Sequence, residues 1–221
     1  MSPEWPTTRP SAVLFDWDNT LVDTWATIHD AMNTTLTAMR HAVWTFDETR
    51  QRVRRALRDS FPELFGDQWE KARDIFYTRF RAIHLETLAV LPGSAELIKE
   101  IAKKNIYMGV VSNKSGDHLR READYLGWDG YFGRLVGATD AEHDKPAIDP
   151  VLLALRGSGI KPGPNVWFVG DTSIDMQCAV DANCVAILVR ETPPEREEFG
   201  KYFPRMHFTD CFELCALVRK L

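Results

Sequence analysis

The sequence predicts an α/β protein in which a doubly wound parallel sheet carries a small inserted all-helical domain. Two patterns within the 221 residues lead to this prediction. Short, continuous apolar segments alternate with stretches of helical periodicity, and such segments are typical of strands buried on both faces of a parallel sheet. Residues 24–90 break this alternation, because they show helical periodicity and no evident strand pattern.

Five apolar segments are predicted to form the strands of the sheet. Each is short and rich in β-branched or aromatic residues, and each is flanked by turn-forming or polar residues. In chain order the predicted strands occupy residues 12–15, 106–111, 135–136, 166–169 and 185–189.

Helices are predicted between and after these strands. One starts at Pro92, and Ser115 is placed to cap the next. Asp149 is the predicted N-cap of a third, with Pro150 at its first position, and Asp210 is the predicted N-cap of the last. This alternation of strands and helices indicates a Rossmann-like core.

The inserted domain is predicted from two amphipathic stripes, with residues 53–57 suggesting a further helix between them. The core then comprises residues 1–22 and 91–221, and the helical domain comprises residues 23–90. The first stripe is Trp25, Ile28, Met32, Leu36 and Met39, and the second is Trp69, Ala72, Phe76, Phe80 and Ile83.

The composition and charge of the chain restrict its possible functions. With 44% hydrophobic and 27% charged residues, the balance is that of an ordinary soluble globular protein. A net charge of -5 and no long basic tract argue against a nucleic-acid partner. No secretory signal or membrane-length apolar run is apparent, so we expect a cytoplasmic protein. We also expect it to be a monomer or a homodimer. The expected reduced, buried thiols are Cys178, Cys184, Cys211 and Cys215.

Two acids follow the first predicted strand. Asp16 and Asp18 would lie at the carboxyl edge of the sheet, where open α/β sheets bind ligands. One carboxylate can attack a substrate while the other donates and then accepts a proton. Taken alone, residues 18–20 are equally compatible with a turn in which Asp18 caps a helix.

Polar residues also follow later strands. Ser112 and Asn113 end the second, where a hydroxyl and a helix N-terminus suit a phosphate oxygen. Lys145 lies in a polar loop and has the charge to neutralise a phosphate or a carboxylate. Asp171 and Asp175 follow the fourth predicted strand. Each of these features is weak alone, since capping and solvation explain such residues equally well.

Taken together, these polar residues are more informative, because four carboxylates would converge at one edge of the predicted sheet. Two unit charges about 4 Å apart repel by roughly 4 kcal/mol at an effective dielectric constant of about 20. Asp16, Asp18, Asp171 and Asp175 would therefore take up protons or bind a cation. Oxygen ligands select a hard ion, and Mg²⁺ is the usual one beside phosphate.

These motifs, in this order, resemble those of the haloacid dehalogenase superfamily. The helical insertion matches the position of that family's C1-type cap. Residues 112–114, together with Lys145-Pro146 and the Asp149-Pro150 that follows, are most similar to those of phosphoglycolate phosphatases. The resemblance implies a phosphatase acting on a small phosphorylated metabolite. It rests on residues 13–21, 110–113, 145 and 169–175.

The resemblance also implies residue roles. Asp16 would form an aspartyl-phosphate, and Asp18 would protonate the leaving alcohol and then activate water. Ser112, Asn113 and Lys145 would bind the phosphate, with Ser112 and Lys145 also counted as catalytic.

The resemblance implies a Mg²⁺ site as well. Its ligands would be the Asp16 carboxylate, the Asp18 carbonyl oxygen and Asp171. Asp175 would lie close by or act through water.

Alternatives remain within and outside the family. Asp18 argues against a dehalogenase, which lacks the second acid. A sugar phosphomutase commonly has a histidine where this chain has Ile28, with His29 one step further on. A non-catalytic binding protein would be expected to lack Asp16 or Asp18. One departure is Asn19 in place of the usual glycine, although Asn tolerates positive φ.

Five arginines are predicted to lie on one helix of the insertion. Such a cluster can attract an anionic substrate, and a solvated helix face is the simpler interpretation. The residues are Arg50, Arg52, Arg54, Arg55 and Arg58.

Overall fold

The computed structural model describes residues 9–53 and 55–221 and confirms the α/β class. The strands are β1 (Ala12–Phe15), β2 (Val22–Asp23), β3 (Ala89–Val90), β4 (Tyr107–Ser115), β5 (Arg134–Ala138), β6 (Val166–Gly170), β7 (Val185–Val189) and β8 (Met206–Phe208). The helices are α1 (Trp25–Ala38), α2 (Phe46–Arg52), α3 (Leu57–Phe65), α4 (Trp69–Ile83), α5 (Ser94–Lys103), α6 (Gly116–Tyr125), α7 (Asp149–Leu155), α8 (Ser173–Asp181), α9 (Arg196–Phe199) and α10 (Cys211–Arg219).

The core is a six-stranded sheet in the order β5-β4-β1-β6-β7-β8. Every neighbouring pair in it is parallel. Val13 and Phe15 of β1 pack with residues of α5, α6 and α10, whereas Ala12 and Leu14 pack with residues of α7 and α8. Both faces are therefore covered, which explains why the strand sequences are continuously apolar.

The insertion, between β2 and β3, is helical and has its own hydrophobic core. Its boundary with the sheet domain is marked by a short antiparallel pair, in which Val22 lies opposite Val90 and Asp23 opposite Ala89. No helix in the described ranges is both long and apolar enough to span a bilayer. The buried residues of the insertion core are Ile28, Ala31, Met32, Leu36, Phe61, Phe65, Ala72, Phe76 and Phe80.

The prediction of one helix through residues 53–57 is wrong. Helix α2 begins with a capping box between Thr45 and Glu48, and Val53 is its C-cap. Ala56 is then the N-cap of α3. The arginines consequently do not share one helix: two lie on α2, Arg55 lies in the connection and Arg58 on α3, while Arg54 is outside the described residues.

One predicted strand needs correction, and strand β3 (Ala89–Val90) lies within residues 24–90, where no strand was expected. Strand β4 is longer than predicted and reaches Ser115, with a shift of register against β5 after Val111. Residues 112–114 therefore lie within the strand and not beyond it. Strand β8 was not predicted, because it has only three residues and one of them is the polar His207.

The helix starts were predicted with mixed success. Asp210 caps α10 through a hydrogen bond from the Glu213 backbone amide, 2.9 Å long. Asp149 is the first residue of α7 and not its cap, which is Ile148. Helix α5 starts two residues after Pro92, with Gly93 as N-cap at a φ of 83°. All four cysteines are free and buried, as expected.

Candidate active site

The sheet brings all seven predicted site residues to one cavity. Strand β1 lies between β4 and β6 in the sheet, so the residues at their carboxyl ends become neighbours. The cavity has a volume of about 170 Å³ and lies between the sheet edge and the helical insertion. The predicted residues that line it are Asp16, Asp18, Ser112, Asn113, Lys145, Asp171 and Asp175.

Lys145 joins two of the acids. Its Nζ lies 2.8 Å from Oδ1 of Asp16 and 2.7 Å from Oδ1 of Asp175. Burial lowers the pKa of Lys145, but the two carboxylates raise it overall, so the lysine is charged at neutral pH. Burial, together with Asp175, raises the pKa of Asp16 to about 6 against the opposing effect of Lys145.

Asp171 completes an acidic cluster with Asp16 and Asp175. One carboxylate oxygen from each of the three lies within 4.8 Å of the others. Burial and the two neighbouring acids raise the pKa of Asp171 well above its usual value. Three close oxygen donors whose charges repel one another fit a hard divalent cation such as Mg²⁺.

Asp175 is held in place by its own helix. Its Oδ2 accepts hydrogen bonds from the backbone amide and the hydroxyl of Thr172, at 3.0 and 2.7 Å. A Cβ on Gly170 would lie 2.4 Å from the Cβ of Asp175, so the close approach requires glycine. Both oxygens of Asp175 are thus engaged, one by Thr172 and the other by Lys145.

The Asp18 carboxylate lies apart from the acidic cluster. Its Oδ1 accepts hydrogen bonds from Lys114 Nζ at 2.7 Å and from the Thr24 hydroxyl at 2.8 Å. Within the described ranges, no donor is found for its Oδ2. The turn that presents Asp18 depends on Asn19, whose φ of 61° confirms that asparagine replaces glycine in a left-handed conformation.

A buried polar network extends from Asp18, and sequence reasoning missed most of it. Lys114 Nζ also contacts the two oxygens of Glu122 at 2.9 and 2.8 Å. Glu122 accepts further hydrogen bonds from Trp17 Nε1 at 2.8 Å and pairs with His84 Nδ1 at 2.8 Å. Although burial opposes it, Lys114, His84 and Trp17 lower the pKa of Glu122.

A sequence signal for these residues did exist. Glu122 lies three positions after Leu119, and His84 four positions after Phe80, so each occupies an apolar helix face. An ionisable residue at such a position must have a buried partner.

Ser112 and Asn113, the two predicted site residues on β4, have different partners. The Ser112 hydroxyl is almost fully buried and accepts a hydrogen bond from the Lys114 backbone amide at 3.2 Å. Asn113 binds the backbone of Lys145 twice, accepting from its N–H at 3.0 Å and donating to its C=O at 3.1 Å. Lys145 is followed by a cis peptide bond to Pro146. The geometry therefore supports Asn113 as a residue that positions Lys145.

His29, the residue beside the phosphomutase position, is engaged within the insertion. Its Nδ1 lies 2.8 Å from the Thr49 hydroxyl, and its Nε2 lies 3.3 Å from Nδ2 of Asn33. It is not among the residues that line the cavity.

Comparisons with known proteins agree with this geometry. Residues 13–189 match the family model described as haloacid dehalogenase-like hydrolase. A phosphoglycolate phosphatase from Photorhabdus laumondii is 27% identical over 184 residues, which cover 80% of this chain and 78% of the relative. A Clostridium perfringens protein provisionally named a pyrophosphatase is 26% identical and covers 95% of this chain and 98% of its own.

A solved structure supports the same fold. A haloacid dehalogenase-like family hydrolase from Streptococcus pneumoniae superposes with a TM-score of 0.81 at 22% identity, covering 93% of this chain and 97% of its own. Because the family model spans most of the chain, the protein belongs to the haloacid dehalogenase-like hydrolase family.

Proposed function

We propose that the protein is a Mg²⁺-dependent phosphatase that hydrolyses a small phosphate monoester through an aspartyl-phosphate on Asp16. The observation that carries this proposal is the position of Asp16. It lies between groups that would compensate phosphate charge and an acid that could exchange a proton with the substrate. On one side, Lys145 and a cation held by the acidic cluster would compensate phosphate charge. On the other side, Asp18 has a carboxylate oxygen without a donor among the described residues.

In the first step, an oxygen of Asp16 attacks phosphorus and the bond from phosphorus to the ester oxygen breaks. Asp18, entering this step protonated, gives its proton to the departing alkoxide through Oδ2. In the second step, Asp18 takes a proton from water as the water oxygen attacks phosphorus. The bond to Asp16 breaks, and inorganic phosphate and the free carboxylate result.

The remaining residues would position and neutralise the phosphate. Lys145 would hold the nucleophile and offset phosphate charge, and the Ser112 hydroxyl would bind a phosphate oxygen. Phosphoryl transfer depends mainly on positioning and charge stabilisation, which such residues supply.

Mg²⁺ would be held by the Asp16 carboxylate, Asp171 and the Asp18 carbonyl oxygen, with Asp175 close by or through water. When bound, the ion neutralises negative charge on the phosphate oxygens. Asp175 suits the outer role, because both of its carboxylate oxygens already have partners.

The helical insertion would act as a C1-type cap over the cavity. We assign the core to residues 1–22 and 91–221 and the cap to residues 23–90, since the β2–β3 pair marks the junction. Closure of the cap would exclude bulk water during phosphoryl transfer. Two of the relatives carry the names of enzymes that act on small phosphate compounds, which supports this substrate size.

The test is phosphate release from a panel of small phosphate monoesters, including 2-phosphoglycolate, with Mg²⁺ or with EDTA. Turnover of at least one ester should disappear with EDTA and fall by about 10³-fold or more in Asp16→Asn. Asp129→Asn, which changes an exposed acid, is the control and should keep full activity. Mg²⁺-dependent turnover that persists in Asp16→Asn would refute the aspartyl-phosphate.

A further inference from the structure

We propose that the organic group of the substrate is apolar, of aromatic size, and without a carboxylate. This inference rests on the proposed phosphatase function and concerns the part of the cavity that the insertion forms. It departs from the substrate suggested by the phosphoglycolate phosphatases among the relatives, because glycolate carries a carboxylate.

The insertion side of the cavity is mostly apolar. Among the described residues of the insertion that line it, the polar side chains are those of Arg52, Arg55 and Ser60, and Tyr77 adds a hydroxyl. The apolar residues are Trp25, Ile28, Met32, Trp44, Val53, Leu57, Leu64, Phe76, Tyr77 and Phe80.

Part of this surface is available to a ligand. Ile28, Met32, Phe76 and Phe80 belong to the buried core of the insertion, so their presence alone would reflect packing. The other six lining residues are only partly buried, so part of each side chain stays accessible, although five of the six also pack against that core. A concave apolar surface with a few polar groups is typical of a site that binds an apolar ligand group.

The two arginines are already paired. Arg52 donates to Glu48 over 2.9 Å, and its guanidinium lies 5.0 Å from the centre of the Trp44 ring. Arg55 binds both carboxylate oxygens of Glu63 through its two amino groups. A substrate carboxylate would have to replace an existing carboxylate partner, and would gain only the difference between two similar exposed ion pairs.

The cations on the core side are paired too. Lys114 lies between Asp18 and Glu122, and Lys145 lies between Asp16 and Asp175. The cavity therefore has no lysine or arginine without an acidic partner among the residues described.

His118 does not supply a cation either. It lines the cavity with its ring against Tyr77 and Phe80. Burial, together with His84 and Lys114, lowers its pKa to about 4, so it is neutral at pH 7. A carboxylated organic group would lose its hydration without gaining an unpaired cation.

The test uses three non-hydrolysable phosphonates that share the phosphate-like head. Binding of 3-phenylpropylphosphonate, propylphosphonate and 2-carboxyethylphosphonate to the protein with Mg²⁺ is measured by calorimetry. The phenyl compound should bind about 10-fold tighter than the propyl compound, or about 1.4 kcal/mol. The carboxyethyl compound should bind no tighter than the propyl compound. A carboxyethyl compound that binds tightest, or a phenyl group without effect, overturns the inference.

A matched pair of variants locates the contact. Trp44 lines the cavity, whereas Trp69 is a partly buried tryptophan of the same insertion that does not. Trp44→Ala should weaken binding of the phenyl compound about 5-fold or more and leave propylphosphonate unchanged. Trp69→Ala should change neither. Equal effects of both substitutions on the phenyl compound would overturn the assigned contact surface.

Turnover of the matching esters separates this inference from the proposed function. Phosphate release is compared for 3-phenylpropyl phosphate, propyl phosphate and the phosphate ester of 3-hydroxypropanoate, whose alkyl leaving groups are chemically similar. Preference for the phenyl ester supports both ideas. Preference for the carboxylated ester supports the phosphatase and overturns the inference. The expected phosphonate order without release from any ester supports the apolar subsite and contradicts the phosphatase.

Discussion

Lys114 Nζ lies 2.7 Å from Asp18 Oδ1, and the same ammonium group contacts both oxygens of Glu122. Burial lowers the pKa of Lys114, but the two acids raise it overall, so it is charged. This contact joins Asp18 to the polar network that ends at His84 on the insertion. Lys114 is therefore a positioning residue for Asp18.

Lys114→Met should lower the free energy of unfolding by about 3–5 kcal/mol, because it leaves the buried Glu122 carboxylate without its main counterion. Urea unfolding measures this loss. The double variant Lys114→Met with Glu122→Gln should recover part of the stability, since the uncompensated charge is removed. Equal stability of the single and double variants would contradict the buried ion pair as the cause.

The two acids that follow β6 should behave differently when neutralised. Asp171→Asn should raise the Mg²⁺ concentration for half-maximal activity about 10-fold or more, because a proposed ligand is lost. It should also stabilise the metal-free protein, since one of three repelling carboxylates is removed. Titration of activity with Mg²⁺ and thermal unfolding in EDTA measure the two effects.

Asp175→Asn should instead destabilise the metal-free protein. The substitution removes the negative charge that pairs with the buried Lys145 ammonium and lies in the first turn of α8. The asparagine oxygen can still accept a hydrogen bond from the Thr172 backbone N–H, so the loss comes from the ion pair and from the negative charge in the first turn of the helix. The charge in the first turn contributes about 0.3–1 kcal/mol. If Asp171→Asn and Asp175→Asn shifted the unfolding temperature in the same direction, this division of roles would be wrong.

Asn113→Ala should lower kcat about 10-fold and leave KM nearly unchanged. The reason is that Asn113 holds the Lys145 backbone through two hydrogen bonds, and a misplaced lysine stabilises the transition state less well. Steady-state kinetics on the best ester separates two roles. A large rise in KM with kcat unchanged would favour the substrate-binding role that the sequence suggests.

The free energy of unfolding should fall on mild acidification because of His118. Its folded pKa of about 4 lies below the usual value of 6.5, so between these values the unfolded chain binds a proton that the folded chain does not. The contribution of His118 is fully present above pH 6.5 and declines as the pH falls towards 4.

His118→Phe keeps a ring against Tyr77 and Phe80 and removes the titration. Between pH 7 and pH 5, wild type should lose roughly 1–2 kcal/mol more than this variant, after allowance for solvent screening. Urea unfolding at the two pH values provides the measurement. Parallel losses in both proteins would show that His118 is not the group that responds.

The sequence by itself determined the α/β class, the five strands and the position of the helical insertion. These features depend on local periodicity and on burial of both sheet faces, which apolar segments such as residues 166–169 express directly. It also placed Asp16 and Asp171 at one edge, because parallel strands share their carboxyl ends.

Only the tertiary structure decided which polar groups are partners. Asp18 and Lys114 are 96 positions apart, and Trp17 and Glu122 are 105 apart. Such contacts depend on how α6 and the insertion pack against the sheet, which no local pattern encodes. The same holds for Asn113, whose side-chain amide donates a hydrogen bond to the backbone of Lys145, 32 positions away. A side chain's partner is set by three-dimensional packing, whereas its strand or helix is set largely by its neighbours in sequence.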